Sequence, residues 1–252
     1  MTPRFGLITT VYNHADYLWD CFYSVLAQRY TNFIHVIVND ASPDHAKDRI
    51  AEYLQKRPSA IVVNMPINVG PAAAFNAGVR AMPPGIEWIM KCDADDKIDA
   101  RLIEDVMEVE REDSTINVVV PPARHFGNLH TTYTYPRFDP HRMIQVCMIP
   151  GQAAYRRFLW DIVGGYDETM RSAEDWDFFI RAQYVVGLEV RQLSAPRWCY
   201  RMHDGPRAST EGMSKLHILQ EYWRGFNESN SRTGQRSFAT WLANRNPLPE
   251  AL

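Results

Sequence analysis

Trp88-Ile89-Met90-Lys91-Cys92-Asp93-Ala94-Asp95-Asp96 places three carboxylates directly behind a short apolar run. An apolar stretch of this length reads as a buried strand, and the aspartates then mark its carboxyl end. Like charges crowded there repel one another and favour a bound cation, and hard oxygen ligands suit Mg²⁺ or Mn²⁺. A solvated acidic turn or helix cap explains the same residues, because Asp is also a turn residue. What decides between these readings is the company the cluster keeps.

On either side of it, strand-like runs alternate with helical patterns, the signal of a parallel sheet covered by helices. Strands are expected at 5–11, 34–38, 60–64, 88–91 and 116–120. Helices are expected at 16–28, where Tyr17, Leu18, Cys21, Phe22, Val25 and Leu26 share a face, and at 72–82 and 99–111. Another runs from Ser42 to about Lys56, with Ser42 as its cap and Pro43 at its first position. Ligands of open α/β sheets bind outside the carboxyl ends of the strands. Thr9, Thr10, Tyr12 and Asn13 follow the first strand, Asn39 and Asp40 the second, Asn68 and Gly70 the third, and the aspartates the fourth. Each alone is an ordinary turn or cap; together they face one crevice. No GxGxxG follows the first strand and no GxxxxGK[ST] occurs, so the phosphate cradles of Rossmann dehydrogenases and P-loop NTPases are missing.

The 252 residues, 46% of them hydrophobic, suffice for one sizeable core. Lys plus Arg number 27 against 30 Asp plus Glu, a net charge of −3 that gives no footprint for indiscriminate nucleic-acid binding. The N-terminal residues do not read as a signal peptide, and no apolar stretch reaches transmembrane length. Cys21, Cys92, Cys147 and Cys199 lack CxxC spacing, which suggests neither zinc nor a disulfide framework and favours reduced thiols in a cytosol.

The ordered set Thr10-Val11-Tyr12-Asn13, Asn39-Asp40-Ala41-Ser42-Pro43-Asp44, Asn68-Val69-Gly70-Pro71 with Asn76-Ala77-Gly78, Asp93-Ala94-Asp95-Asp96, Gly164-Gly165-Tyr166-Asp167-Glu168, Glu174-Asp175-Trp176-Asp177 and Tyr200-Arg201-Met202-His203 resembles the family 2 glycosyltransferases. These are inverting, nucleotide-sugar enzymes of the GT-A fold, and the resemblance covers about residues 5–210. It implies an α/β domain with a mostly parallel central sheet over residues 1–212. Residues 1–120 form its nucleotide-binding half and 121–212 its acceptor and catalytic half, followed by a C-terminal helical extension at 213–252. It further implies metal-dependent transfer from a nucleotide-diphosphate sugar, a UDP-sugar by preference. Asp40 is expected to accept a hydrogen bond from a pyrimidine imide, with Thr9, Val11 and Tyr12 lining the nucleoside. Asn68, Gly70, Asn76, Asp93, Ala94, Gly165 and Glu174 are the other expected donor contacts. Asp95 is the expected ligand of Mn²⁺ or Mg²⁺, with Asp96 and His203 beside it, and Asp175 the expected general base. A helix cap is the competing role for Asp175.

One departure is Phe75, standing where many family members carry a basic residue near the nucleotide; Lys91 and Arg80 are substitutes by proximity in sequence. Pro206-Arg207-Ala208-Ser209 offers a basic phosphate clamp on a loop. Residues 121–150 read as an irregular segment or short hairpin rich in groups suited to an acceptor, whether glycan, lipid-linked saccharide, protein or modified nucleic acid. The tail carries Leu216, Leu219, Tyr222, Trp223 and Phe226 at helical spacing, suited to packing on the core or in a homodimer, with a peripheral membrane position as the weaker alternative. A non-catalytic nucleotide-sugar binding or scaffold protein and a metal-dependent nucleotidyltransferase are the competing functions.

Overall fold

The computed structural model describes residues 4–170 and 173–202. Its core is β1 (Phe5–Val11) and β2 (Phe33–Asn39), parallel and in register from Phe5 opposite Phe33 to Val11 opposite Asn39. β2 is buried along its whole length, and β1 is buried except for Thr10, as expected where helices cover both faces of a parallel sheet. β3 (Ile61–Asn64) continues the sheet on one side and β4 (Trp88–Lys91) on the other. Beyond β4 lie β9 (Ala154–Arg156), β6 (Val118–Val120) and β10 (Val190–Gln192), giving the order β10-β6-β9-β4-β1-β2-β3. β9 is antiparallel to both of its neighbours. The two expected halves of the domain therefore share one sheet, since β9 from the second is inserted between β4 and β6 of the first.

α1 (Leu18–Leu26), α2 (Ala46–Lys56), α3 (Pro71–Arg80), α4 (Leu102–Glu112), α5 (Arg157–Val163) and α6 (Glu174–Val185) complete the α/β architecture. α3 rests closely on the sheet because residue 78 is glycine; a Cβ there would stand 2.7 Å from Ile8 Cγ2. Three helices begin later than the sequence suggests. Asp44 accepts from the Ser42 hydroxyl and the Ala46 N–H, and Asp99 accepts from the Arg101 N–H, so the capping-type side chains close turns before the helices start. The first helix begins at Leu18 after a turn in which Tyr17 N–H donates to His14 O.

The segment 121–150 contains the expected hairpin, β7 (Ala123–Gly127) with β8 (Thr131–Tyr133). It belongs to a second sheet of order β5-β11-β7-β8, in which β5 is Lys97–Ile98 and β11 is Trp198–Met202. No helix among the described residues is long and apolar enough to cross a membrane. His203, Arg207 and the expected C-terminal extension lie outside the described residues.

Candidate active site

A cleft of about 410 Å³ opens at the carboxyl ends of β1, β2 and β4, a volume typical of small-ligand sites. Thr10, Val11 and Tyr12 border it from β1, Asp40 from β2, and Asn68, Gly70 and Pro71 from the approach to α3. Lys91, Asp93, Ala94 and Asp95 form the wall after β4, and Tyr200, Arg201 and Met202 of β11 close the far side.

Asp40 is almost completely buried and organises the loop before α3. Its Oδ1 accepts from Val69 N–H at 2.8 Å, and its Oδ2 from Gly70 N–H at 2.9 Å and Asn68 Nδ2 at 3.0 Å. A carboxylate has about four acceptor positions, so these three donors leave room for one more from the cleft. Gly70 has φ of 88°, a left-handed conformation that suits glycine at the turn into α3. Non-glycine residues take left-handed conformations at Asn13, Ala41 and Ala173, which follow β1, follow Asp40 and precede Glu174 respectively. Backbone strain is thus concentrated in the loops that shape the cleft.

The three aspartates after β4 separate by environment. Asp95 lines the cleft. Asp93 lines it too, with Oδ1 3.0 Å from Lys91 Nζ and Oδ2 accepting from Gln152 Nε2. Asp96 is fully buried and turned away, Oδ1 accepting from Arg201 N–H at 2.8 Å and Oδ2 from Trp198 Nε1 at 2.7 Å. Burial and the neighbouring Asp93 and Asp95 charges push its carboxyl upward, against these two N–H groups. The expectation of a metal at Asp96 gives way to a structural role: it does not line the cleft, and its two oxygens tie β11 to the β4 loop.

Lys91 links the two acidic motifs. It is 8% exposed, 3.0 Å from Asp93 and 3.6 Å from Glu174 Oε1. Burial alone would lower its pKa, but the Asp93, Glu174 and Asp175 charges overcome that and raise it, so the ammonium is fixed. Of the two substitutes considered for the basic residue missing at Phe75, Lys91 is the one in the cleft. Arg80 instead pairs with Glu168 at 2.9 Å, and Phe75 is a core residue stacked on Tyr166 at 4.7 Å.

Asp175 stands in the first turn of α6, partly buried, its Oδ1 accepting from Trp176 N–H at 2.8 Å. No side-chain cap hydrogen bond is made at the start of this helix by its N-cap residue, Ala173. Burial, then the charge of Glu174, push the Asp175 carboxyl up to about 6, with Lys91 opposing them and Asp93 adding to the rise. Its Oδ2 lies over Gly151, where a Cβ would come within 2.9 Å. Asp175 does not line the cleft itself and is joined to its wall through Glu174 and Lys91; a carboxyl group poised near neutrality is suited to proton transfer.

Several expected donor contacts lie elsewhere. Thr9 is fully buried on the opposite side of β1 from Thr10, with Oγ1 3.0 Å from His35 Nε2; His35 Nδ1 is in turn 2.8 Å from the Tyr53 hydroxyl. Strand alternation sends Thr9 into the core and Thr10 to the cleft. Asn76 is also buried, and it clasps the turn after α5: Nδ2 donates to Tyr166 O and Glu168 Oε1, while Oδ1 accepts from Trp160 Nε1 and Tyr166 N–H. Gly165, with φ of 84°, packs against Asn76 and Trp160. These two residues support the site from behind. Glu174 is buried against Lys91. Gln152, missed in the sequence, reaches Asp93 only because β9 is inserted beside β4.

Among the described residues, no three His, Cys, Asp or Glu side chains converge to hold a metal. The chemistry of the open wall nevertheless fits a hard divalent cation shared with phosphates. Such ions take one or two protein carboxylates and draw their remaining ligands from substrate and water, and Asp95 supplies oxygen of that kind.

The sequence profile of glycosyl transferase family 2 matches residues 7–170, ending just before the Glu174-Asp175 pair. The chain is 26% identical over 227 residues to the uncharacterized glycosyltransferase EpsJ of Bacillus subtilis (strain 168), covering 84% of this chain and 64% of the relative. It is 24% identical over 242 residues to a chondroitin synthase of Escherichia coli, covering 94% of this chain and 34% of that enzyme. The chain thus spans less than two thirds of either relative. Among solved structures, S. aureus TarS 1–349 in complex with UDP-GlcNAc superposes with a TM-score of 0.73 at 19% identity, covering 87% of this chain and 65% of TarS. The mannosyltransferase PcManGT from Pyrobaculum calidifontis, in complex with GDP-Man and Mn²⁺, gives 0.64 at 17% identity, covering 96% and 79%. These likenesses confirm the GT-A type of α/β fold.

Proposed function

The chain belongs to glycosyl transferase family 2, and from that premise we propose that it is an inverting, metal-assisted glycosyltransferase moving a sugar from a nucleotide-diphosphate donor, preferably a UDP-sugar, to an acceptor hydroxyl. The observation that carries the reading is the join made by Lys91, which braces Asp93 on the cleft wall against Glu174 beside Asp175. Donor-binding and proton-accepting groups are thereby held as one unit. UDP-GlcNAc in TarS and GDP-Man in PcManGT support a nucleotide-sugar donor for this fold.

In this mechanism the remaining acceptor position of Asp40 takes the imide N–H of the base, and Val11 and Tyr12 border the nucleoside. Asp95 would hold Mn²⁺ or Mg²⁺, which supplies Lewis-acid stabilisation to the departing diphosphate. Asp175 Oδ2 takes the proton of the acceptor hydroxyl as that oxygen bonds to the anomeric carbon from the side opposite the diphosphate. One C–O bond forms as the bond to the leaving phosphate oxygen breaks, which inverts the centre. The fixed charge of Lys91 keeps Asp175 from rising too far to act as a base near neutral pH. His203 is the remaining expected metal ligand.

A thermal-shift screen of UDP, GDP, TDP and CDP sugars with Mn²⁺, followed by assay of nucleotide release, tests the reading. A Mn²⁺-dependent rise in melting temperature with one donor series is expected. Absence of any shift and of any nucleotide release would refute it.

A further inference from the structure

One face of the second sheet carries a continuous run of rings. Tyr200 lies opposite His125 and Trp198 opposite Ala123, while β8 sets Tyr133 opposite Ala123 and Thr131 opposite His125. Trp198, Tyr200, His125 and Tyr133 therefore share a face. Their centroids are 5.2 Å apart from Trp198 to Tyr200, 5.6 Å from Tyr200 to His125 and 6.3 Å from His125 to Tyr133, and Tyr135 continues the run edge-on at 4.9 Å.

The run starts at Trp198, buried against Asp96, and its next ring and its last are informative. Tyr200 borders the cleft. At the other end, Tyr135 packs on the same core cluster as Ala173 and Trp176, the residues on either side of the Glu174-Asp175 pair. Gln192 Nε2 anchors its backbone by donating to Tyr135 O at 2.8 Å. Tyr133 is 43% exposed, and Thr131, Thr132 and Thr134 around it are exposed as well.

We propose that this run, centred on Tyr133 and Tyr135, is the acceptor subsite and that its occupant is a saccharide chain. The inference rests on the glycosyl-transfer reading. A pyranose offers an apolar C–H face to an aromatic ring and a rim of hydroxyls to neighbouring polar groups; the exposed ring of Tyr133 provides the first, and Thr131 and His125, paired on the same face, provide the second. A lipid tail would leave the Thr131 hydroxyl and the His125 imidazole facing hydrocarbon. A saccharide laid from Tyr133 across His125 to Tyr200 leads from solvent to the cleft, where its terminal hydroxyl must meet the donor.

The test uses the whole chain with chitotetraose, cellotetraose, mannotetraose and a chondroitin tetrasaccharide as probes, their binding followed by saturation-transfer NMR. Wild type is expected to bind at least one of them. Tyr133→Ala should weaken that binding on the order of tenfold, the scale of one lost stacking contact, while donor affinity stays within twofold. Tyr133→Trp should retain the saccharide. Saccharide affinity unchanged in Tyr133→Ala, or wild type that binds donor but none of the four probes, overturns the subsite and leaves the transfer reading standing. Failure to bind any nucleotide sugar overturns the transfer reading instead.

Discussion

Two carboxylates of this chain behave differently because of what stands beside them. Asp175 is pushed up to about 6, so as a base it works only after losing its proton, and transfer should fall on the acid side of that value and level off above it. A pH profile of kcat checks this. The same shift has a stability consequence of defined sign. The fold binds this proton more tightly than the unfolded chain does, so stability declines as pH rises from near 4 through 6. Asp175→Asn removes that cost. It should melt higher than wild type at pH 8, by on the order of 1–2 kcal/mol, while losing on the order of 100-fold or more in turnover. Lys91 is the counterpart. Lys91→Met leaves buried Glu174 and half-buried Asp93 without their cation and should cost about 2–4 kcal/mol in denaturant unfolding. Lys91→Arg should recover most of it. The placement of Asp40 and Asp95 on the cleft was legible in the sequence, because each closely follows an apolar strand. It was not legible for Thr9, because two adjacent threonines look alike until the strand's facing is fixed and one turns inward to His35.

At the scale of elements, the turn between α5 and α6 depends on the side chain of Asn76 in α3. Asn76→Ala removes four hydrogen bonds and strands the N–H groups of buried Tyr166 and partly buried Trp160, and should destabilise the protein by about 2–4 kcal/mol. Asn76→Asp keeps two acceptors but loses both donors, so it should recover only part, as thermal unfolding will reveal. The strands were the readable elements. β1, β2 and β4 are apolar runs that stop abruptly at polar residues, and their boundaries agree within about one residue. Helix starts were less readable because Ser42, Asp44 and Asp99 cap turns before any helix begins. β9 is three residues running directly into α5, too short for its periodicity to stand apart from the helix. The family resemblance implies donor contacts for Asn76 and Gly165; packing, which sequence spacing does not carry, keeps both out of the cleft lining.

For the molecule as a whole, the two sheets meet at Asp96, whose carboxylate receives N–H groups from Arg201 and Trp198. Asp96→Asn replaces one of these acceptors by a donor and should destabilise the fold by about 2–4 kcal/mol. Asp95→Asn, one residue away on the cleft wall, should leave stability nearly unchanged and weaken Mn²⁺-dependent donor binding. Calorimetry of the pair, with and without donor and Mn²⁺, separates the two roles within a single acidic motif. The topology of the larger sheet also governs how the chain reaches this state. β6 joins β4 only through β9, and β10 then pairs with β6, so residues 118–120 have no strand beside them until residues 154–156 arrive. During synthesis the ribosome thus releases β1 to β4 as a partial sheet with an unpaired edge, and closure waits for about 65 further residues to emerge. That interval, several seconds at ordinary translation rates, is when the nascent chain is most open to chaperones and to aggregation through the bare edge of β4.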